Sequence, residues 1–417
     1  MDTRNLFKII DLQHDEMIQT LKELVRIPSV TGNEKPAQEY IENLYSGLKI
    51  NPERVYPDIE SLRNHPAFVD TKRSYDDCFN IVATLQGDPS KASLILNGHS
   101  DVVSPEPEQS WRRGPFDPFL EGNRLYGRGA GDMKGGLIAN FYALKAILDA
   151  GMLPGGTVSL QSVIDEEAGG AGGTLALLNQ GYVADALLVT EPHNLNITIS
   201  HVGIMYFKVK VTGRSAHSGL AHKGVNAIGK MYPIYNALET LARERGLAIK
   251  FPLYEQGSGQ SCHLTVSSMI AGDWPGKVAG HAEINCRISF IPGETKQEIQ
   301  KLIHDLISEV ANQDEWLKEN LPEIEWYGWQ NEPWEQAEDH KFISSLRNVY
   351  TEVLGQTPHL IGRASGNDAR FSGYFGMPGA CIGPIAENIH GPDEWVDVDS
   401  LNKLIKVLAV FILDWCK

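Results

Sequence analysis

The sequence is poor in cysteine, lacks any long apolar run and is short of positive charge. Its five cysteines (Cys78, Cys262, Cys286, Cys381 and Cys416) are scattered, odd in number and never spaced as CxxC. That pattern excludes a thiolate zinc finger and suits a reducing compartment. No apolar stretch reaches the ~18 residues that a membrane-spanning helix needs. The opening Met1-Asp2-Thr3-Arg4-Asn5 leads into a polar helix, so no signal peptide is expected. Lys and Arg number 37 against 53 Asp and Glu, a formal charge of -16. Such a balance argues against nucleic acid and against an anionic membrane surface as partners. A soluble, cytoplasmic protein is expected.

At 417 residues the chain is long enough for two domains. Met17, Leu21, Leu24 and Val25 recur at helical spacing, and Pro28 closes that helix. A second helix carries Ala37, Tyr40, Ile41, Leu44 and Leu48 on one face, and residues 51–77, irregular and charged, read as a surface excursion. Buried strands are expected at 80–85 and 93–97. A glycine-rich segment at 125–136 opens a helix marked by Leu137, Ile138, Phe141, Leu144 and Ile147. A strand at 157–163 ends in Asp165-Glu166-Glu167, and another at 186–190 ends in Glu191-Pro192. Strands alternating with helices, each strand closing in a polar loop, predict an α/β sheet with its site at the strand ends.

After Ser200 the pattern changes to β-α-β-β-α-β, the order of a ferredoxin-like sandwich. The expected division is a first domain of residues 1–202 plus 329–417, with an inserted α+β domain at 203–328. The chain returns with a helix at 340–354, a glycine-rich loop at 362–368, a strand at 379–383 and a last helix at 398–416.

One stretch, Leu94-Ile95-Leu96-Asn97-Gly98-His99-Ser100-Asp101-Val102-Val103, organises the first domain. His99 and Asp101 lie on the same side of an extended backbone, and a metal-binding imidazole needs a carboxylate or carbonyl to orient it. Asp132, Glu166, Glu167, Glu191 and His390 each stand just past another predicted strand. Two imidazoles with several carboxylates suit a borderline divalent cation, zinc above all, with cobalt or manganese as substitutes. Carboxylates crowded into one crevice repel one another unless cations neutralise them. Two metals about 3.5–4 Å apart, bridged by one carboxylate, would answer that and clamp a hydrolytic water. Glu166 and Glu167, adjacent in extended backbone, point to opposite sides. One can then hold a metal while the other takes a proton from the water.

Any one of these carboxylates alone more often caps a helix or solvates the surface. The force lies in their joint occurrence. Gly127-Arg128-Gly129-Ala130-Gly131 lacks the spacing of a nucleotide loop. His193, His201 and His222 lie near plausible sites with no role fixed, and a structural use is the plainer one.

Four motifs in register resemble the acetylornithine deacetylase / succinyl-diaminopimelate desuccinylase family, a group that includes aminoacylase and carboxypeptidase G. They are Gly98-His99-Ser100-Asp101-Val102-Val103, the segment Gly127-Arg128-Gly129-Ala130-Gly131-Asp132-Met133-Lys134-Gly135-Gly136, Asp165-Glu166-Glu167, and His390-Gly391-Pro392-Asp393-Glu394. The resemblance implies a mixed-sheet α/β, zinc-exopeptidase-like catalytic domain with an inserted ferredoxin-like lid and dimerisation domain. It implies that Asp132 bridges two zinc ions, with His99 and Glu191 completing one site and Glu167 and His390 the other. Glu166 would be the general base and Asp101 the residue that orients His99. Gly213-Arg214-Ser215-Ala216-His217-Ser218-Gly219 is similar to the family's lid motif. Its histidine, here His217, would reach the other subunit of a homodimer and stabilise the oxyanion.

Two places depart from the family pattern: Asn285-Cys286-Arg287, where Asp-x-Arg is usual, and Gly366-Asn367-Asp368-Ala369-Arg370 in the substrate loop. Arg287 and Asn367 are the candidate substrate contacts, with Arg363 and Arg370 as alternative grips for a carboxylate. The expectation is a dinuclear-metal amidohydrolase that removes an acetyl, succinyl or formyl group from a small amine or amino acid. A metallo-dipeptidase or general aminoacylase is the alternative. A non-catalytic binder on the same scaffold would have no need of Glu166.

Overall fold

The structure, a computed structural model, describes residues 3–255 and 259–417. The chain divides into two compact units. Met1–Ile199, Gln336–Ile361 and Asn367–Lys417 form the first, and Ser200–Glu335 with Gly362–Gly366 the second. Helices α1 (Arg4–Leu12), α2 (His14–Val25) and α3 (Lys35–Ser46) open the chain. Strands β1 (Glu53–Val55), β2 (Asn80–Leu85) and β3 (Leu94–His99), helix α4 (Gly135–Asp149), and strands β4 (Val158–Val163), β5 (Leu187–Val189) and β6 (Ile197–His201) follow. Then come β7 (Gly203–Thr212), α5 (Ala227–Ala248), β8 (Leu264–Ala271), β9 (His281–Phe290), α6 (Lys296–Asn312) and β10 (Glu323–Asn331). The return consists of α7 (Lys341–Leu354), β11 (Gly379–Ile382) and α8 (Val398–Trp415).

In the first unit the strand order is β1-β2-β4-β3-β5-β11-β6. The central four, β4, β3, β5 and β11, run parallel, while β1, β2 and β6 pair antiparallel at the flanks. This is a mixed sheet. Every residue of β3 is buried, as expected of parallel strands covered on both faces, whose sequences read as continuous apolar runs. Helix α4 is buried along most of its surface, and Leu401, Leu404, Leu408 and Phe411 of α8 are also fully buried. Trimming one such leucine to alanine costs about 2–5 kcal/mol. Glycine sets the approach of α4, because a Cβ at Gly136 would lie 2.0 Å from the carbonyl oxygen of Thr190.

The second unit has the order β-α-β-β-α-β with an antiparallel sheet β8-β9-β7-β10, the arrangement of a ferredoxin-like sandwich. Alternation makes it one-sided: Ala282, Ile284, Cys286 and Ile288 of β9 are buried, with less buried residues between them. Met231, Ile234 and Leu238 of α5 and Ile299, Ile303 and Ile307 of α6 belong to the same core. A capping box of Thr295 and Glu298 starts α6. No described helix of either unit is long and apolar enough to cross a membrane.

Candidate metal centre

Register brings the carboxyl ends of three parallel strands together, with His99 opposite Val163 and Asn97 opposite Val189. The residues that follow each strand therefore emerge at one edge of the sheet, where α/β folds place their ligands. His99 is almost fully buried. Its Nδ1 lies 2.9 Å from the main-chain carbonyl oxygen of Asp101, and its Nε2 lies 3.2 Å from Asp132 Oδ1. Donation from Nδ1 to that carbonyl leaves Nε2 with a lone pair turned to the cluster.

Asp101 does more than the sequence suggested, and by another atom. Its carbonyl orients His99, while its carboxylate, 3.6 Å from Nδ1, accepts the backbone N–H of Glu166 at 3.2 Å and of Glu167 at 3.1 Å. The Thr31 hydroxyl donates to it as well, at 3.0 Å. Burial pushes the Asp101 carboxyl up to about 7.

Glu166 and Glu167 do not sit in extended chain. They open a 3₁₀ turn, Glu166–Ala168, entered through Asp165 at φ +69°. The turn still separates them. Glu167 Oε2 lies 3.1 Å from His390 Nε2, and Glu166 Oε2 lies 3.9 Å from His99 Nε2. Burial, and then repulsion from Glu191, hold Glu166 well above the usual carboxylate range. The turn is braced by Asp165, which accepts from Arg73 Nη1 at 2.9 Å, the Tyr75 hydroxyl at 2.6 Å and the Gly172 N–H at 3.1 Å. Arg73 also pairs with Glu34 at 2.7 Å. The segment 51–77 is thus not merely a surface excursion: it contains β1 and a short helix, Ile59–Leu62, and turns charged side chains inward.

Asp132 and His390 arrive on loops. Strand Arg124–Tyr126, which feeds the glycine loop of Asp132, pairs with Trp395–Asp397, the second arm of the hairpin that carries His390. Asn388, His390 and Asp393 of that hairpin have left-handed φ of 57°, 62° and 52°, which costs non-glycine residues about 1–2 kcal/mol each. His390 Nε2 lies 3.4 Å from Asp132 Oδ2, and its side chain is 52% exposed. Hydrogen bonds to Asp132 and Glu167 raise the imidazole to about 10. Burial alone would raise Asp132, but His390 and His99 outweigh it and hold that carboxyl below its usual range.

The donors of His99, Asp132 and Glu167 lie within 4.8 Å of one another, as do those of His99, Glu166 and Glu191. Glu167 Oε1 is buried and without a hydrogen-bond partner. A buried carboxylate oxygen left unpaired beside neutral-capable imidazoles is what a divalent cation satisfies. The residues present fit such ions.

Residues 95–414 match the sequence profile of peptidase family M20/M25/M40. The chain belongs to this family. It is 27% identical over 434 residues to N-formyl-4-amino-5-aminomethyl-2-methylpyrimidine deformylase of Bacillus subtilis, covering 99% of this chain and 97% of that one. It is 26% identical over 427 residues to a probable succinyl-diaminopimelate desuccinylase of Staphylococcus aureus, covering 96% and 98%. A dinuclear metal binding M20 peptidase of Bacillus subtilis shares the fold with a TM-score of 0.66 at 15% identity, over 97% of this chain and 99% of that one.

The remaining candidates of this M20-family chain are not among these ligand groups. Arg370 is buried and donates to the carbonyls of Asn367 and Gly169, so it braces the loop. Asn367 caps the following turn by accepting from the Ala369 N–H. Beside it Asp368, fully buried, accepts from Thr174 at 2.6 Å. In the second unit Arg287 donates to the Ala364 carbonyl, and His217 is exposed with Nδ1 accepting from the Gly219 N–H. Arg363 is half-buried, His201 bonds the Val202 carbonyl, and His222 is exposed.

One residue passed unremarked in the sequence. Glu394 is fully buried, and its carboxylate accepts the backbone N–H groups of Gly129, Gly131 and Asp132 at 3.1, 2.9 and 3.0 Å, and Arg128 at 2.5 Å. It fixes the loop that carries Asp132. A glutamate closing the His390 motif was the available signal.

Proposed function

We propose that this M20-family chain is a dinuclear-metal amidohydrolase that removes a small acyl group from an amine. The observation that carries the reading is Glu166: a buried carboxyl with a raised proton affinity, beside the ligand cluster yet separated from Glu167 by the turn. A general base needs that position and that pKa. We assign His99 and Glu191 to one cation, Glu167 and His390 to the other, and Asp132 to both. Zinc is the preferred ion for this nitrogen and oxygen set, with cobalt or manganese as substitutes. Bound there, the cations would polarise the amide carbonyl and make water more acidic.

Glu166 takes the proton of the attacking water and returns it to the leaving nitrogen. Asp101 holds both ends of the work, the ring of His99 through its carbonyl and the Glu166 turn through its carboxylate. Because the Gly219 N–H occupies His217 Nδ1, the neutral ring carries its proton on Nε2 and can donate to a developing oxyanion. We assign that donation to His217 acting across a homodimer. Edge strand β8 supports an interface on the second unit, since Met269 and Ile270 are exposed there, as is Trp274 just beyond it. Arg287 and Asn367 are assigned to substrate contact. That none of the five cysteines, all among the described residues, lies in a disulfide supports a reducing, cytoplasmic setting.

Both sequence relatives named above, which align along nearly the whole chain, remove acyl groups according to their names. A small N-acylated amine is therefore the expected substrate class, ahead of a dipeptide. Hydrolysis of formyl-, acetyl- and succinyl-amines should be compared with dipeptides, using zinc- and cobalt-loaded protein. Faster cleavage of an acyl-amine is expected. Faster cleavage of dipeptides would overturn the assignment.

A further inference from the structure

Beside the catalytic cluster the first unit holds a second group of donors with a different chemistry. One ligand atom each from Glu191, His193 and Cys381 lie within 4.8 Å of one another, and all three residues are buried. We propose that these three side chains form a third cation site, one that takes a soft or borderline divalent ion and draws Glu191 away from the catalytic pair.

The sheet builds this site. Cys381 on β11 pairs with Val189 of β5 on one side and with Thr198 of β6 on the other. Val189 stands two residues before Glu191, and the Thr198 hydroxyl lies 3.0 Å from His193 Nδ1. Metal-binding imidazoles have their second nitrogen held by just such a polar partner. With Nδ1 so held, His193 Nε2 lies 3.9 Å from Glu191 Oε2, and Cys381 Sγ lies 3.8 Å from the Glu191 carbonyl oxygen. The catalytic cluster offers only nitrogen and oxygen, whereas this group adds sulfur. Thiolate selects softer cations, so cadmium would discriminate between the two. Binding forms a metal–sulfur bond, releases the thiol proton to solvent and involves no change of oxidation state.

Only the inhibitory half of this inference rests on the proposed function; the binding half does not. Cadmium titrated into zinc-loaded protein should give a near-ultraviolet thiolate-to-cadmium charge-transfer band that saturates at a single added equivalent, with hydrolysis lost in parallel. Cys381→Ser should remove the band, keep basal hydrolysis and resist cadmium. His193→Gln should weaken the band with Cys381 intact, which serves if the serine variant fails to fold. Thr198→Val should weaken cadmium binding by about 10–100-fold. Absence of the band in the native protein, or its survival undiminished in both Cys381→Ser and His193→Gln, would overturn the site. A band without inhibition would overturn the competition for Glu191. A band in a protein that hydrolyses nothing would refute the proposed function and leave the site standing.

Discussion

The two ends of the proposed metal cluster are built differently. His99 projects from a fully buried parallel strand, and its orienting carbonyl lies two residues on, at Asp101. His390 stands on a hairpin with three left-handed non-glycine residues, and its side chain is half-exposed. Rigidity comes to the first end from the sheet. The second end takes it from one buried carboxylate, Glu394, which clamps the Asp132 loop by three backbone N–H groups. A strand can position a ligand by register alone, whereas a loop needs a buried charge to hold it.

The largest effect should come from the residue between the two ends. Glu166→Gln keeps the shape and the hydrogen bonds of the turn but removes the proposed base, so kcat should fall by about 10²–10⁴-fold with metal content unchanged. Loss of metal in that variant would make Glu166 a ligand instead. Next in size, His99→Ala should deplete bound metal far more than His390→Ala. A buried gap beside Asp132 cannot be refilled by solvent, while water reaches the half-exposed position of His390. Equal depletion, measured by elemental analysis after dialysis, would erase the contrast between strand and loop. Third, Glu394→Gln leaves Arg128 buried without its partner and should cost about 3–5 kcal/mol in denaturant unfolding. A cost near zero would mean that the hairpin holds the Asp132 loop without it.

Much of the strand end was legible in the sequence for the same reason that it is rigid. Buried parallel strands give unbroken apolar runs, so the polar residues after Asn97, Val163 and Val189 stand out, and His99, Glu166, Glu167 and Glu191 with them. Asp132 and His390 were legible through motif rather than through periodicity. The bracing groups were not. Arg128 and Glu394 are separated by 266 positions, and Arg73 and Asp165 by 92. Such pairs leave no local pattern: a charged residue reads as surface until its partner is known, as with Arg73 in the segment 51–77. The carbonyl of Asp101 illustrates a second limit, since a sequence displays side chains while the atom that orients His99 belongs to the main chain. Separation of Glu166 from Glu167 was expected from extended geometry and is achieved by a 3₁₀ turn instead.

The smallest effect should come from the outer side of the hairpin. Arg112 grips Asp393 with its backbone N–H at 2.9 Å and its Nε at 3.1 Å, and its guanidinium lies 4.2 Å from the centre of the Tyr126 ring. On paper this contact resembles the clamp by Glu394. Yet the Arg112 side chain is 46% exposed, so water screens the ion pair and replaces its hydrogen bonds when it is cut. The backbone N–H to Asp393 also survives substitution of the side chain. Arg112→Ala should therefore leave kcat, metal content and unfolding midpoint close to those of the native protein. If it instead released metal as readily as His390→Ala, the loop end would be held from its solvent face, and buried Glu394 would not be what distinguishes the two ends.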